Sequence, residues 1–411
     1  MRLTWRGLPP HPGQKSARPR RRAVASLLSV WGTRVTILLS ILATRASAQA
    51  SAREFSRTRD LTIDGSAADL VGISSLSVSP NGLIAVGQRD DASVRVYDAQ
   101  GALRYRFGRR GEGPGEFRQL GAWSGWLRDT LWVIDPSLRR LTFVASSGSL
   151  ARVSPFPASN SASHTSPPTP PRQGDVYVAG VRPDGGLLLA AGIAGTPQPD
   201  PWRGELEGAL YTVWSATDGG RRQAFLGTVP TRNSGCTEGP FSFVTIECQV
   251  GLMAFSPNGE GFVSATPATR GTRNTALRLL RIGASGDTLL RRDLPYVGQP
   301  VPRHLADSAR QLCKKQNPQP ERQGACERLG VAPFLRHFSR VVLGMDDSIL
   351  LELRPDSKGR HWLVVSSRGE ALGRVTLPPT FYLWTATQTT LWGTERDSDD
   401  VESVVRYRIG R

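Results

Sequence analysis

From residue 54 onward, apolar positions alternate with polar ones or gather in short runs of β-branched and aromatic residues. Gly, Pro, Asn and Asp interrupt these runs every few positions. The i, i+3, i+4 spacing of an amphipathic helix is nearly absent. Period-two alternation bounded by turn residues predicts an all-β chain.

The pattern repeats itself. SLSVSPNGLIAVGQ (75–88), then SVRVYDAQGALRYRFG (93–108), is echoed by GLMAFSPNGEGFVSA (251–265) and ALRLLRIGASGDTLLRRDLP (276–295). The turn Ser79-Pro80-Asn81-Gly82 returns as Ser256-Pro257-Asn258-Gly259 and as Arg182-Pro183-Asp184-Gly185. Proline sets the corner, and glycine takes the position of positive φ. A second hairpin recurs as VYDAQGAL, FVASSGSL, RIGASGDTL and VSSRGEAL, with Gly101, Gly148, Gly286 and Gly369 closing its turns. Each unit is therefore an inner hairpin, a loop and an outer hairpin.

Six units follow: 73–108, 119–156, 174–230, 249–297, 334–379 and 380–411. The last holds three candidate strands, FYLWTAT, TLWGTE and SVVRYRIG. The segment 54–64 (EFSRTRDLTID) has no partner of its own and supplies the missing outer strand, which closes a ring. Insertions are expected at 157–173, 195–208, 231–250 and 298–333. Setting them aside leaves roughly 46 residues per unit, inside the range of about 40–50 for four-stranded propeller blades. The prediction is a six-bladed β-propeller closed by an N-terminal strand; a β-sandwich would not need this regular grammar.

The first 48 residues read differently. They hold nine Lys/Arg and no acid, then the apolar stretches 23–31 and 35–43, then Ala46-Ser47-Ala48. Basic region, short apolar core and small-residue site form the pattern of a cleaved secretory signal. The stretch VTILLSILA is shorter than the roughly 20 residues a spanning helix needs. The alternative is an uncleaved signal anchor over 23–43. The mature chain is expected to be periplasmic or extracellular, monomeric and without a transmembrane span. The formal charge is +17 over the whole sequence. Its arginines are scattered among acids after residue 48, and this argues against nucleic-acid binding, which uses a clustered patch.

Export makes sense of the four cysteines. Four cysteines allow three pairings. The local pairs Cys236–Cys248 and Cys313–Cys326 are the economical choice, and each short loop closed is worth about 3 kcal/mol. Zinc is disfavoured, since there is no CxxC and no histidine at ligand spacing.

At 107–117 the chain reads FGRRGEGPGEF, followed by LWVIDPSLRRLTFVASSG. This resembles the NHL-type six-bladed propellers of exported bacterial proteins. Their units carry a GxGPGEF connection and then a "lyVaD…ri.vfd..G" stretch. Asp135, Arg140 and Gly148 fall on that pattern, and the match covers blades one and two. The resemblance implies a functionally mixed family. Many members are binding or scaffolding modules, while related folds include lactonases, lyases and strictosidine-synthase-like enzymes. Fold alone does not choose among them.

Candidate chemistry is sparse. The glycine-rich loop 108–116 lacks the Lys and the helix of a P-loop. Arg109, Arg110 and Glu112 on it are the candidate ligand contacts, facing the axial channel. His164, His304, His337 and His361 are too dispersed for a three-histidine zinc site. Glu54, Asp135, Asn258 and Asp346 are oxygen donors for a lactonase-like calcium site. No GxSxG elbow occurs. In the insertion 298–333, LADSARQLCKK (305–315) has a helical period with Asp307 early and lysines late. Cys313–Cys326 would staple that helix to the returning chain, making a cap suited to recognition. Trp202, in a proline-rich loop, is a candidate exposed aromatic. The leading expectation is an exported binding or interaction module for a small ligand, glycan, peptide or protein, without a cofactor. The alternative is a metal-dependent hydrolase or lyase with its site in the axial channel, where calcium would serve.

Overall fold

The computed structural model describes residues 53–155, 176–193, 210–217, 222–230, 235–238, 241–244, 251–267, 276–295, 300–328, 335, 338–354 and 356–410. Residues 1–48, read above as an expected signal, lie outside the described residues with His164, His337, Trp202 and Cys248, as does the Cys236 side chain. The pairing Cys236–Cys248 therefore does too.

The chain enters through β1 (Ser56–Ile63). Blade one follows as β2 (Ile73–Val78), β3 (Ile84–Gln88), β4 (Ser93–Tyr97) and β5 (Leu103–Phe107). Blade two is β6 (Ser124–Leu127), β7 (Thr130–Asp135), β8 (Arg140–Val144) and β9 (Leu150–Pro155). Blade three is β10 (Val176–Val181), β11 (Leu187–Ile193), β12 (Leu210–Thr217) and β13 (Arg222–Pro230). A short hairpin, β14 (Gly235–Glu238) with β15 (Phe241–Val244), precedes blade four. That blade is β16 (Leu252–Phe255), β17 (Gly261–Pro267), β18 (Ala276–Gly283) and β19 (Thr288–Pro295). Two helices, α1 (Arg303–Gln316) and α2 (Pro320–Arg328), then lead to blade five: β20 (Phe338–Leu343), β21 (Ile349–Leu353), β22 (Arg360–Val365) and β23 (Ala371–Leu377). Blade six is β24 (Tyr382–Ala386), β25 (Thr390–Arg396) and β26 (Glu402–Gly410), completed on its outer edge by β1.

Six four-stranded antiparallel sheets thus form the ring of a six-bladed β-propeller. Closure is the antiparallel pairing of β1 with β26, from Ser56 opposite Gly410 to Ile63 opposite Val404. Glu54 departs from the expected boundary. It bridges in parallel to Arg374 at the edge of blade five, with Phe55 N donating to Arg374 O at 2.6 Å. The entering chain therefore touches blade five before it joins blade six.

The repeated turns are repeated hydrogen bonds. Gly101, Gly148, Gly286 and Gly369 donate to Asp98, Ala145, Gly283 and Ser366 at 3.0, 2.9, 2.9 and 2.9 Å. Middle strands such as β3 (IAVGQ) are buried along their whole length, whereas the outer strand β5 (LRYRF) is mostly open to solvent. A middle strand is covered on both faces by neighbouring blades, so its apolar run is continuous.

The core is accordingly divided into seams. Six clusters of buried side chains lie between successive blades, and the cluster with Leu61, Ile63, Val78 and Trp392 joins blade six to blade one. Fully buried Trp362 and Phe381 occupy the seam between blades five and six. Each such side chain contributes about 1.5–3 kcal/mol on burial.

The helical insertion is larger than the periodicity indicates. The predicted helix extends over Arg303–Gln316, with Lys314 and Lys315 in its last turn and no acid in its first. The returning chain is itself helical, as α2. Cys313 and Cys326 are buried and joined by a disulfide, so the two helices are stapled. α2 also lies beside the β14–β15 hairpin.

Candidate functional site

The glycine-rich connection between blades one and two is closed on itself. Gly108 has φ +90, and a Cβ there would lie 2.5 Å from the Phe117 ring. Phe117 is buried and packs edge-on to Phe107 at 6.2 Å. The Glu116 carboxylate accepts from the Gly113 amide at 2.9 Å and from Arg109 Nε at 2.8 Å. The amide and the guanidinium hold that carboxyl below the usual carboxylate range. Arg140 reaches back from β8 to donate to the Glu112 and Gly113 carbonyls, both at 2.8 Å, and to the Glu116 carbonyl. Asp135 is fully buried and accepts from the backbone amides of Arg118, Gln119 and Leu138 at 2.8, 3.3 and 2.9 Å. The motif residues Asp135 and Arg140 thus bind the connection to blade two.

Arg109, Arg110 and Glu112 stand on the outside of this loop. Arg109 pairs with Glu116, Arg110 donates to the Asp90 carbonyl at 3.1 Å, and Glu112 pairs with Arg118. None of the three lines the axial cavity described below.

The candidate calcium ligands are each engaged in other contacts. Glu54 accepts from Thr376 Oγ1 at 2.8 Å. Asn258 donates to the Met345 carbonyl at 3.2 Å. Asp346 accepts from Ser348 Oγ at 2.6 Å and from the Gln388 amide at 2.9 Å. His361 begins β22 and is held between Thr376 Oγ1 at 3.0 Å and Asp356 Oδ1 at 2.8 Å, while His304 lies in α1. Among the described residues no three His, Cys, Asp or Glu side chains come together.

A different locus draws side chains from every blade. The first strands of the blades, β2, β6, β10, β16, β20 and β24, face one another around the axis. They enclose a cavity of about 460 Å³. Its walls include Trp123 against Phe255 (ring centroids 5.6 Å apart) and Tyr382 against Trp384 (4.8 Å, edge-on). On one wall Ser124 Oγ lies 3.3 Å from Ser77 Oγ, and it is backed by buried Ser75 Oγ at 3.2 Å.

Among the described residues, one charged side chain enters this lining. Arg340 is the only charged residue in the six first strands, which otherwise read ISSLSV, SGWL, VYVAGV, LMAF and YLWTA. A register shift between Phe338 and Arg340 leaves Ser339 unpaired in the ladder. Such a bulge re-aims neighbouring side chains. Arg340 Nη2 donates to the Leu383 carbonyl of blade six at 2.6 Å. Its guanidinium carbon sits 4.0 Å from the Tyr382 ring centre and 5.9 Å from that of Trp362. Burial holds the Arg340 guanidinium below its usual value. Nη1 is buried with no hydrogen-bond partner in the protein, and so is Thr385 Oγ1 on the adjacent wall. The cavity lining contains no carboxylate, imidazole or thiolate among the described residues.

Arg340 lies in HFSRVVLG, a run without a recognised motif. The signal present in the sequence was a charge inside an apolar first strand, meaningful only once the strands are aligned blade by blade.

No family model matches the chain, and no curated protein matches it. Among solved structures, a member of the DUF4221 family from Bacteroides vulgatus aligns with 11% identity over 88% of this chain and 99% of its own, at a TM-score of 0.43. The luciferin-regenerating enzyme aligns with 10% identity over 87% and 95%, at 0.39. Virginiamycin B lyase from Staphylococcus aureus aligns with 11% identity over 86% and 99%, at 0.36. At these values the alignments carry no argument about this chain's activity.

Proposed function

We propose that this protein is an exported binding module that takes a small ligand into the axial cavity of its propeller. The observation that carries the reading is the cavity itself. It is concave, walled by aromatic rings and provided with a few convergent polar groups, the composition of a small-molecule site. Metal-dependent hydrolysis draws on acids or histidines converging on the channel, and the described side chains lining this one are of other kinds. Export is supported by the basic–apolar–small order of the first 48 residues and by the buried Cys313–Cys326 disulfide, which persists in oxidising compartments. The GEGPGEF connection, with Asp135 and Arg140 holding it, supports placing the chain with NHL-type propellers.

The test is a blocked cavity. Ala254 lines it and is partly buried where it packs against the seam between blades four and five, so Ala254→Trp narrows the space, and circular dichroism checks that the variant is folded. A panel of small aromatic and aliphatic compounds is screened by quenching of tryptophan fluorescence, with native mass spectrometry for stoichiometry. One-to-one binding by the parent chain and its loss in a folded Ala254→Trp variant is the expected result. Equal binding by both would place the ligand elsewhere.

A further inference from the structure

We infer that the axial cavity selects a small organic anion, a carboxylate on a flat apolar body, and that Arg340 is its anchor. This rests on the reading of the cavity as the binding site and names the class of ligand it takes.

The charge balance around Arg340 is the first reason. Glu352 stands opposite Arg340 in the β20–β21 register. Its carboxylate nevertheless accepts from Arg360 Nε at 2.5 Å and from Ser339 Oγ at 3.0 Å. Two guanidiniums therefore share the neighbourhood of one carboxylate, and the carboxylate is committed to Arg360. Arg340 shares the field of that carboxylate with Arg360, and its own contacts are a carbonyl and two aromatic rings, so it has no counter-ion to itself. A buried charge without a counter-ion is costly and is ordinarily paired.

The geometry is the second reason. Nη2 is tied to Leu383 O, and Tyr382 covers one face of the guanidinium, so the group is held in place before any ligand arrives. Nη1 and Thr385 Oγ1 are the donors left without partners on cavity-lining residues of two adjacent blades. A carboxylate accepts from both a guanidinium nitrogen and a hydroxyl. Trp384 and the Trp123–Phe255 pair offer flat apolar surface to the remainder of such a molecule. A structural role, stapling blade five to blade six, uses Nη2 alone and leaves Nη1 unexplained.

Benzoate is the anionic probe and benzyl alcohol its neutral counterpart of similar shape. Both are titrated into the purified chain, read by tryptophan fluorescence and by ligand-observed NMR. The expected result is benzoate binding at least about tenfold tighter than benzyl alcohol, the scale of one charge-assisted hydrogen bond. Arg340→Gln keeps a donor for Leu383 O and should bring the two probes to equal affinity. Arg340→Lys should retain part of the preference, which guards against misreading a folding defect in the glutamine variant. Equal binding of both probes to the parent chain overturns the anion assignment and leaves the cavity reading standing. Binding of neither probe, to parent or variant, overturns both. A benzoate preference that survives Arg340→Gln in a folded variant overturns the role of Arg340.

Discussion

Glu352 stands across the ladder from Arg340 but gives its carboxylate to Arg360, so the two arginines of blade five have different fates. Arg360 is hydrogen-bonded to the carboxylate, and Arg340 donates to a backbone carbonyl instead. Replacing Glu352 by Gln removes the only carboxylate of this group and leaves two guanidiniums facing each other. Because Glu352 is almost wholly buried, with 3% of its side chain exposed, the loss should be about 3 kcal/mol. Urea unfolding checks it; a change under about 1 kcal/mol would mean that the charge pair is idle.

Gly108 should tolerate no side chain. Its φ is +90, and an added Cβ would lie 2.5 Å from the Phe117 ring. Gly108→Ala combines a left-handed backbone with overpacking against a buried ring, together about 2–4 kcal/mol. Thermal melting of this variant should show a clear drop, while alanine at Gly185, where a Cβ meets nothing within 4 Å, should show only the smaller backbone effect.

The α1–α2 cap should loosen independently of the propeller. Cys313→Ser removes the staple between the helices, which otherwise share few buried side chains beyond Ala325 and the cysteines themselves. Hydrogen exchange should accelerate across 303–328 by about a hundredfold, matching roughly 3 kcal/mol for a short closed loop. The six blades should keep their protection. Loss of protection throughout would show that the cap belongs to the cooperative core.

Acid should act through Asp293. Both of its oxygens accept from Arg278, at Nε and Nη2, each at 2.9 Å, and this pairing lowers the Asp293 pKa. A carboxyl depressed in the folded state stabilises the fold fully above its unfolded value of about 3.9. That contribution is lost as pH falls through the lower folded value. The pair is partly exposed, so it is worth only a few tenths of a kcal/mol. Stability measured from pH 5 to 2 should therefore fall less steeply in Arg278→Gln than in the parent chain. Identical slopes would assign the acid sensitivity to other carboxylates.

Much of the architecture was written locally. A turn such as Ser79-Pro80-Asn81-Gly82 needs its own residues only, and four glycine-closed hairpins repeat one hydrogen bond. Repeated local rules count the blades, and the leftover strand around Leu61 and Ile63 has one place to go, the open edge of blade six. The GEGPGEF loop is written locally for the same reason. Glu116 closes the loop on Gly113, while Arg140 and Asp135 tie it to blade two.

The cavity depends on residues far apart in the chain. Arg340, Trp123, Phe255 and Tyr382 become neighbours only when the ring closes and six first strands converge on one axis. Periodicity tells which face of a strand is buried, and it is silent on whether that face meets a seam or a channel. Whether a buried arginine finds its counter-ion is decided by side-chain contacts between strands, and here the carboxylate opposite it in the ladder is hydrogen-bonded to Arg360. Local turn chemistry and strand patterning thus determine the propeller; the convergence of distant strands on its axis decides what its centre can hold.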